Sequence, residues 1–350
     1  MNITGICNTI LDESSSAEQL RDALNAFSAA CSGISGIQPD PSFSAWADDS
    51  LLQSGVAINP RAAAHCVQDY QRSVVFIRSV YAAIGTLNVR FAGTPLEIVY
   101  AGCGPFATLL LPLLSKFSAG ELNITLLDIH QQALDSVNLL VEHFGFSAHA
   151  VNTIKGDACL YEHPKKLHLV IAETMQKALE QEPQFAVTAN LGQQICPQGI
   201  FIPQRIDVNL SLADLELEKE LYKKQHATNS IVVKNWASRY FIATLCTLSA
   251  DNAAAQSRAA QHNSHTNVLE LQPTVVEIPE LENISRLNAA LFTQIIVYDC
   301  YRLGDYEAEI TLPMRCHELE PLCAGERYTV SYHLGAYPKF HFELQEYNEQ

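Results

Sequence analysis

Apolar positions follow two different rhythms along the chain. Before residue 95 they recur every three to four residues: Leu20, Ala23, Leu24, Phe27 and Cys31 share one face of SAEQLRDALNAFSAAC behind a Ser-rich start. That spacing predicts a capped amphipathic helix from Ser16 to Cys31, a lid or prop and not a domain. SGISGIQPDPSF then breaks the helix with Gly and Pro. A second helical region is expected from Asn59 to Ile84, with Pro60 suited to a helix start. After Pro95 the runs LEIVYAG, NITLLDI, HAVNTIKGDA and LHLVIAE predict four buried strands. Helices are expected through LLLPLLSKF after the first and QQALDSVNLLVEHFG after the second, an alternation that argues for a parallel sheet wound on both sides. In GIFIPQRIDVNLSLADL a Gly and a Pro bracket a short apolar run, and from there strand-like runs dominate. These are SIVVKNW, YFIATLCTL, TVVEIP, TQIIVYDCYRL, YEAEITL, RYTVSYHL and KFHFEL, with one charged helical piece, LELEKELYKKQ. This half is expected to be mostly antiparallel β. No internal repeat or low-complexity tract interrupts the chain.

Composition narrows the partners. The 350 residues are 48% hydrophobic and 17% charged, enough for a sizeable core and too long for one typical domain. Lys and Arg number 22 against 38 Asp and Glu, a formal charge of −16 that repels phosphate backbones and anionic membrane surfaces. Nucleic acid and membrane are therefore not expected partners. The longest apolar stretches, such as Leu109 to Leu114, fall well short of the roughly 20 residues that cross a bilayer. MNITGICNTILDESSS has no basic region before its apolar patch, so a cytoplasmic protein is expected. The ten cysteines are scattered with no CxxC pair, which reads as free thiols. His262 and His265 lie in a polar segment with no other ligand near, so no metal site is expected.

The first candidate chemistry lies where the first strand of the sheet ends, in Val99-Tyr100-Ala101-Gly102-Cys103-Gly104-Pro105-Phe106. Glycines there let the backbone approach a ligand closely. Asp128, followed by Ile129, closes the second strand, where an acidic side chain accepts both ribose hydroxyls of a nucleotide. Gly156-Asp157-Ala158 ends the third strand and places a polar edge where an adenine amino group would lie. NAD-type dehydrogenases and S-adenosylmethionine methyltransferases share that geometry. The order of acidic strand ends, Asp128, Asp157 and Glu173, resembles the class I methyltransferases.

Two further stretches carry a more specific likeness. His65-Cys66-Val67-Gln68-Asp69-Tyr70-Gln71-Arg72-Ser73 contains a D-x-x-R-[TS] signature, and Glu173 and Glu182 stand nine residues apart after the fourth strand, ahead of Gly199-Ile200-Phe201-Ile202-Pro203. Together they resemble the protein arginine methyltransferases from about Pro60 to Gln350. The resemblance implies an α/β fold: a class I methyltransferase Rossmann-like sheet with N-terminal helices, followed by a mostly antiparallel β-barrel-like domain. It divides the chain into an N-terminal helical segment (1–58), a cofactor-binding domain (59–204) and a substrate and dimerisation domain (205–350) with a helical arm near 213–226.

It also implies S-adenosyl-L-methionine as cofactor, held by Arg72, Tyr100, Ala101, Gly102, Cys103, Gly104, Asp128, Ile129, Gly156, Asp157, Ala158 and Glu173. Arg72 is the position whose guanidinium would pair with the cofactor's carboxylate. Glu173 and Glu182 would clamp a substrate guanidinium, which has a pKa of about 12.5 to 13.8 and enters as a cation; Glu180 competes for the second place. The chain departs from the family pattern at Tyr100, where an acid is usual, at Phe106, where a glycine is usual, and in lacking a Thr-His-Trp loop. Cys316-His317-Glu318 is its counterpart by order, which makes His317 a catalytic candidate. A cationic small molecule or peptide is the implied substrate, methylated on a guanidino nitrogen, and a homodimer the implied assembly. Methylation of an amine, hydroxyl or carbon of a specialised metabolite, and a non-catalytic cofactor-binding scaffold, are the alternatives.

Overall fold

In the computed structural model, which describes residues 2–40, 49–228, 239–263 and 268–345, the chain opens with a helix absent from the pattern-based expectation. Ile3, Ile6, Cys7 and Ile10 are buried along one face of α1 (Ile3–Leu11). The expected amphipathic helix follows as α2 (Ala17–Ser35), begun by a capping box in which Ser16 and Gln19 satisfy each other's backbone N–H groups. It ends at Gly36, whose φ of +75° suits a residue without a side chain. A short hairpin, β1 (Ser50–Leu52) and β2 (Gly55–Ala57), comes next. The region expected as one helix from Asn59 is two, α3 (Pro60–His65) and α4 (Tyr70–Arg90). Asp69 interrupts it, since its side chain accepts from the Arg72 N–H and so starts a new helix instead of extending the old one.

The parallel sheet consists of β3 (Leu96–Ala101), β4 (Leu122–Asp128), β5 (Ala150–Lys155), β6 (Leu167–Ala172) and β7 (Ile195–Ile202). Its order is β5-β4-β3-β6-β7, all pairs parallel, with α5 (Gln131–His143) between β4 and β5 and α6 (Gln184–Leu191) between β6 and β7. This is a doubly wound arrangement, with the order reversing beside β3, where ligands of such sheets bind. Every residue of β3 is buried, as a central parallel strand requires. The helix expected through Leu109 to Phe117 is instead a 3-10 stretch, Leu111–Lys116. Pro112 lacks the N–H that an α-helix would use there. α1 packs on this stretch, and α2 reaches both α4 and α5, so the N-terminal helices prop one face of the sheet.

The second half is antiparallel. β8 (Arg205–Ala213), α7 (Leu215–Thr228), β9 (Tyr240–Leu248) and α8 (Ala253–Ala259) are followed by β10 (Gln261–His262), β11 (Leu269–Glu270), β12 (Thr274–Glu277), β13 (Asn288–Tyr298), β14 (Tyr301–Leu303), β15 (Met314–Arg315), β16 (Arg327–His333) and β17 (Lys339–Leu344). One sheet runs β14-β13-β8-β9 with β15 on β13, and the other β10-β11-β16-β12 with β17 on β16. They meet where β9 touches β12 and β16. The run Ser230–Trp236, expected as a strand, lies outside the described residues. YEAEITL is not a strand but a turn and a 3-10 piece, Glu309–Thr311, folded back by the Tyr306 N–H to the Thr311 carbonyl at 3.2 Å. α7 occupies the place of the expected arm. Its Glu218 is paired with Arg239, which also meets Asp305 and lies 3.9 Å over the Phe292 ring. Among the described residues no helix is long and apolar enough to cross a membrane.

Phe27 is wholly buried where α2 meets its neighbours. Phe27→Ala is expected to cost about 3–5 kcal/mol of unfolding free energy. Urea unfolding checks this, and a loss within about 0.5 kcal/mol, as at a surface site, would contradict the packing.

Candidate active site

The strand register brings four chain segments to one edge of the sheet. Ala101 pairs with Leu127 on one side and Ala172 on the other, and Asp128 pairs with Lys155, so the residues following β3, β4, β5 and β6 open on one crevice. Gly102 (φ +66°) and Gly104 (φ +62°) turn the chain out of β3. A Cβ on Gly102 would stand 2.5 Å from the Thr174 Cγ2, so a side chain is barred by both backbone and space. Asp128 organises this edge. One carboxylate oxygen accepts from the Gly104 N–H at 2.9 Å, and the other from the His130 N–H at 2.9 Å. The His130 ring also stands 3.4 Å from that second oxygen. The Gly156 N–H donates to the Asp128 carbonyl at 3.0 Å, and Asp157 accepts from the Cys159 N–H at 2.8 Å, which fixes the end of β5.

Tyr100, Gly102, Cys103, Gly104, Asp128, Ile129, Gly156, Asp157 and Ala158 all line a cavity of about 460 Å³, together with Arg72, Glu173 and Glu182. Ala101 does not line it. Side chains alternate across a strand, and Ala101 packs on the other face of the sheet with Val99, Leu167, Val170 and Ala172. Tyr100 is 4% exposed, and burial pushes its phenol well up.

The opposite wall is built from α4 and the loop after β6. Arg72, in the first turn of α4, forms an ion pair with Glu173 in which both side chains are about nine-tenths buried. The second Glu173 oxygen, Oε1, is buried without a partner. Burial pulls the Arg72 guanidinium down, but Cys66, Asp69 and Glu182 outweigh it and hold the group above its ordinary value. From Glu173 the loop doubles back to Glu182. Thr174 donates both its N–H (2.9 Å) and its hydroxyl (3.0 Å) to the buried Gln184 Oε1, closing the base. Ala178, Leu179 and Gln181 take positive φ values of 56°, 58° and 66°. Such backbone persists only where surroundings over-determine it. They do: the Ala178 N–H donates to Thr293 Oγ1 of β13 at 2.8 Å, the Gln181 N–H to the Pro338 carbonyl at 2.7 Å, and the Val56 N–H of the hairpin to the Gln181 carbonyl at 2.7 Å.

Glu182 is 8% exposed, and burial, only partly offset by Arg72 and reinforced by Asp49, pushes its carboxyl up to about 7. Glu180 does not line the cavity; it sits among Lys339, Glu318 and Lys177.

Many solved structures resemble this chain, two of them as follows. One is the Trypanosoma brucei PRMT1 enzyme–prozyme heterotetrameric complex with AdoHcy, at 13% identity and a TM-score of 0.46, over 81% of this chain and 92% of that one. The other is Arabidopsis thaliana protein arginine methyltransferase 10 in an open conformation, at 10% identity and a TM-score of 0.46, over 77% and 86%. No protein-family model and no curated protein matches the chain. Residue roles in this chain therefore rest on its own geometry.

His317 is not brought to the cavity. It stands in a 3-10 turn with its side chain 76% exposed, 3.7 Å from Glu320. The antiparallel half reaches the cavity earlier in the chain, where the Glu309 N–H donates to Asp69 Oδ2 at 2.8 Å and Glu309, Ile310 and Leu312 join the lining. Asp49, His65 and His130 also line the cavity, and none was singled out from the sequence as a site residue. His65 at least belongs to the quoted signature stretch; Asp49 carries no local sequence signal.

Because Glu182 holds its proton to about pH 7 when folded and to about 4.5 ordinarily, the folded state binds more protons than the unfolded one between those values. Stability from this group is full below about pH 4.5 and falls as pH rises through about 7. Glu182→Gln removes that fall, so its thermal stability relative to the parent should grow from pH 5 to pH 8, by a difference on the order of 3 kcal/mol. A difference independent of pH would show that Glu182 does not titrate in this range.

Proposed function

We propose that the protein is an S-adenosylmethionine-dependent methyltransferase that methylates a guanidino nitrogen of arginine, free or in a small molecule or peptide. The observation that carries this is the pair of buried carboxylates, Glu173 and Glu182, returned to one cavity wall by a strained loop opposite a glycine turn. The residues present suit the cofactor. The cradle at Gly102 and Gly104 is space that a Cβ would fill or strain, and His65 Nδ1 and Glu173 Oε1 are buried polar atoms of the lining with no partner. Asp128 would hold the ribose hydroxyls, Gly156 and Asp157 the adenine edge, and Arg72 the carboxylate. When bound, the cofactor supplies a methyl group already activated on a sulfonium.

The chain's own residues supply the rest. Glu173 and Glu182 bind the guanidinium as a cation, fix its plane and draw positive charge away from the attacking nitrogen. Alignment of this kind is worth about 7–11 kcal/mol of the barrier. The Glu182 carboxylate takes the proton that the nitrogen releases, a role suited to a group that titrates near neutrality. The ion pair between Arg72 and Glu173 favours one second reading, in which Glu173 is already neutralised and the acceptor is an uncharged amine, hydroxyl or carbon centre.

Mass spectrometry of reactions with isotope-labelled S-adenosylmethionine, given free arginine or arginine-containing peptides, should find label on a guanidino nitrogen. Glu173→Gln should lower that turnover by about 10²- to 10⁴-fold and affect a neutral acceptor far less. Cofactor binding with no transfer to either substrate would favour the scaffold or the second reading.

We also propose a homodimer joined through α7, whose Leu217 and Leu221 lie one turn apart and are 44% and 42% exposed, with Phe241 of β9 64% exposed. Light scattering should return twice the chain's 38.6 kDa, and a mass near one chain at micromolar concentration would rule the dimer out.

A further inference from the structure

Asp49 stands immediately before β1, in a part of the chain to which the guanidinium clamp gives no role. One of its oxygens, Oδ1, accepts from both the backbone N–H (2.7 Å) and the side-chain amide (3.0 Å) of Asn59, the residue that caps α3. The carboxylate is thereby fixed in direction. Its other oxygen, Oδ2, is buried with no hydrogen-bond partner, and Asp49 lines the same cavity as Glu173 and Glu182. The hairpin that carries it is locked onto the glutamate loop. The Val56 N–H meets the Gln181 carbonyl, and a Cβ on Gly55 would stand 2.6 Å from the Pro183 nitrogen. Hairpin and loop are one wall.

We propose that Asp49 is a third carboxylate of the acceptor site, a specificity residue that meets the cationic group held by Glu173 and Glu182. It rests on the guanidine reading above and deepens it. Two residues that each keep a buried, unpartnered carboxylate oxygen, Asp49 (Oδ2) and Glu173 (Oε1), line this cavity, and Glu173 is about nine-tenths buried. Buried acceptors left unpaired are costly, and a ligand that donates to both relieves the cost. A guanidinium has five N–H donors in a fixed fork, more than a pair of glutamates uses, whereas a neutral acceptor of the same shape leaves the charge of Asp49 uncompensated. The charge balance agrees. Glu182 is faced by Arg72 from α4, by Asp49 from the hairpin, by Cys66 from the turn before α4 and by Gln176 from its own loop. Arg72 is the cation among them and is already paired with Glu173. An acceptor that brings its own positive charge fits this wall, and Asp49 extends the selection beyond the two glutamates.

Calorimetric titration with L-arginine, its uncharged isostere L-citrulline and S-adenosylhomocysteine tests this without turnover. Asp49→Asn keeps the oxygen that Asn59 needs and removes the charge; Asp49→Ser is the parallel variant should the first not fold. The parent protein is expected to prefer arginine to citrulline. Asp49→Asn should weaken arginine by about tenfold or more and leave citrulline and S-adenosylhomocysteine unchanged. With the neighbouring negative charge gone, the titration of Glu182, followed by carbon-13 NMR of labelled glutamate, should also move to lower pH. An arginine affinity equal to the parent's, or an equal loss for arginine and citrulline, would overturn the role of Asp49. Preference for arginine lost in Glu182→Gln but kept in Asp49→Asn would overturn it while leaving the clamp standing. A parent protein with no preference for arginine would overturn the guanidine reading itself and this contact with it.

Discussion

The buried ion pair between Arg72 and Glu173 is the constraint around which the cavity is organised. Two ions taken out of water lose several kcal/mol of hydration each, and only close geometry returns it. That geometry needs the start of α4 and the end of β6 to be held in register, and the chain holds both. Asp69 caps α4 and at the same time accepts the Glu309 N–H from the antiparallel half. Glu173 follows the fully buried end of β6, whose neighbours in the sheet fix its height. Loss of either partner would leave a buried charge unpaired.

The two halves of the chain are joined by the same need. The loop from Glu173 to Glu182 could not keep three residues at positive φ on its own. Its N–H groups and carbonyls are taken up by Thr293 on β13, by Pro338 before β17 and by Val56 on the hairpin. The antiparallel sheets are thus the mould in which the acidic wall is cast. Local strain at one site is offset by long-range hydrogen bonds, which is how a short acidic loop is held rigid enough to present two carboxylates.

The elements most legible in the sequence were those with one strong local signal. β3, β4 and β6 read clearly because apolar runs stop at Gly102, Asp128 and Glu173, which line the cavity, whereas β5, expected as a buried strand, is an edge strand with no buried residue. α2 read clearly because its cap and its apolar stripe agree. α1, α6 and α8 are short, and in α6 residues are buried on nearly all sides, so no face stands out. The helix expected near Leu109 failed at Pro112, a breaker that outweighs an apolar run. Ala101 and His317 were placed by motif order, which says nothing of the side a strand residue faces or of which loop of the second half bends inward. Asp49 was invisible because its role depends on Asn59 and on a hairpin locked to Gln181 and Pro183, far away in sequence.

The position of Tyr100 shows how the charge of this cavity is distributed. A buried phenol at the end of β3 contributes no anion, so the cavity's carboxylates come from other segments: Glu173 and Glu182 after β6, Asp49 before β1, Asp40 after α2, Glu309 from the antiparallel half, and Asp128 and Asp157 at the ends of β4 and β5. Burial keeps Glu182 largely protonated below neutrality, since little water reaches its carboxyl and Asp49 adds repulsion. A cation entering beside it reverses both effects at once. It replaces the lost hydration with a fixed positive charge and screens Glu182 from Asp49, so the proton leaves when the acceptor arrives. The burial itself remains when the cation is bound, so Glu182 stays a stronger base than an exposed carboxylate beside the same cation would be. The burial that makes Glu182 costly to the fold is therefore what fits it to the proposed transfer.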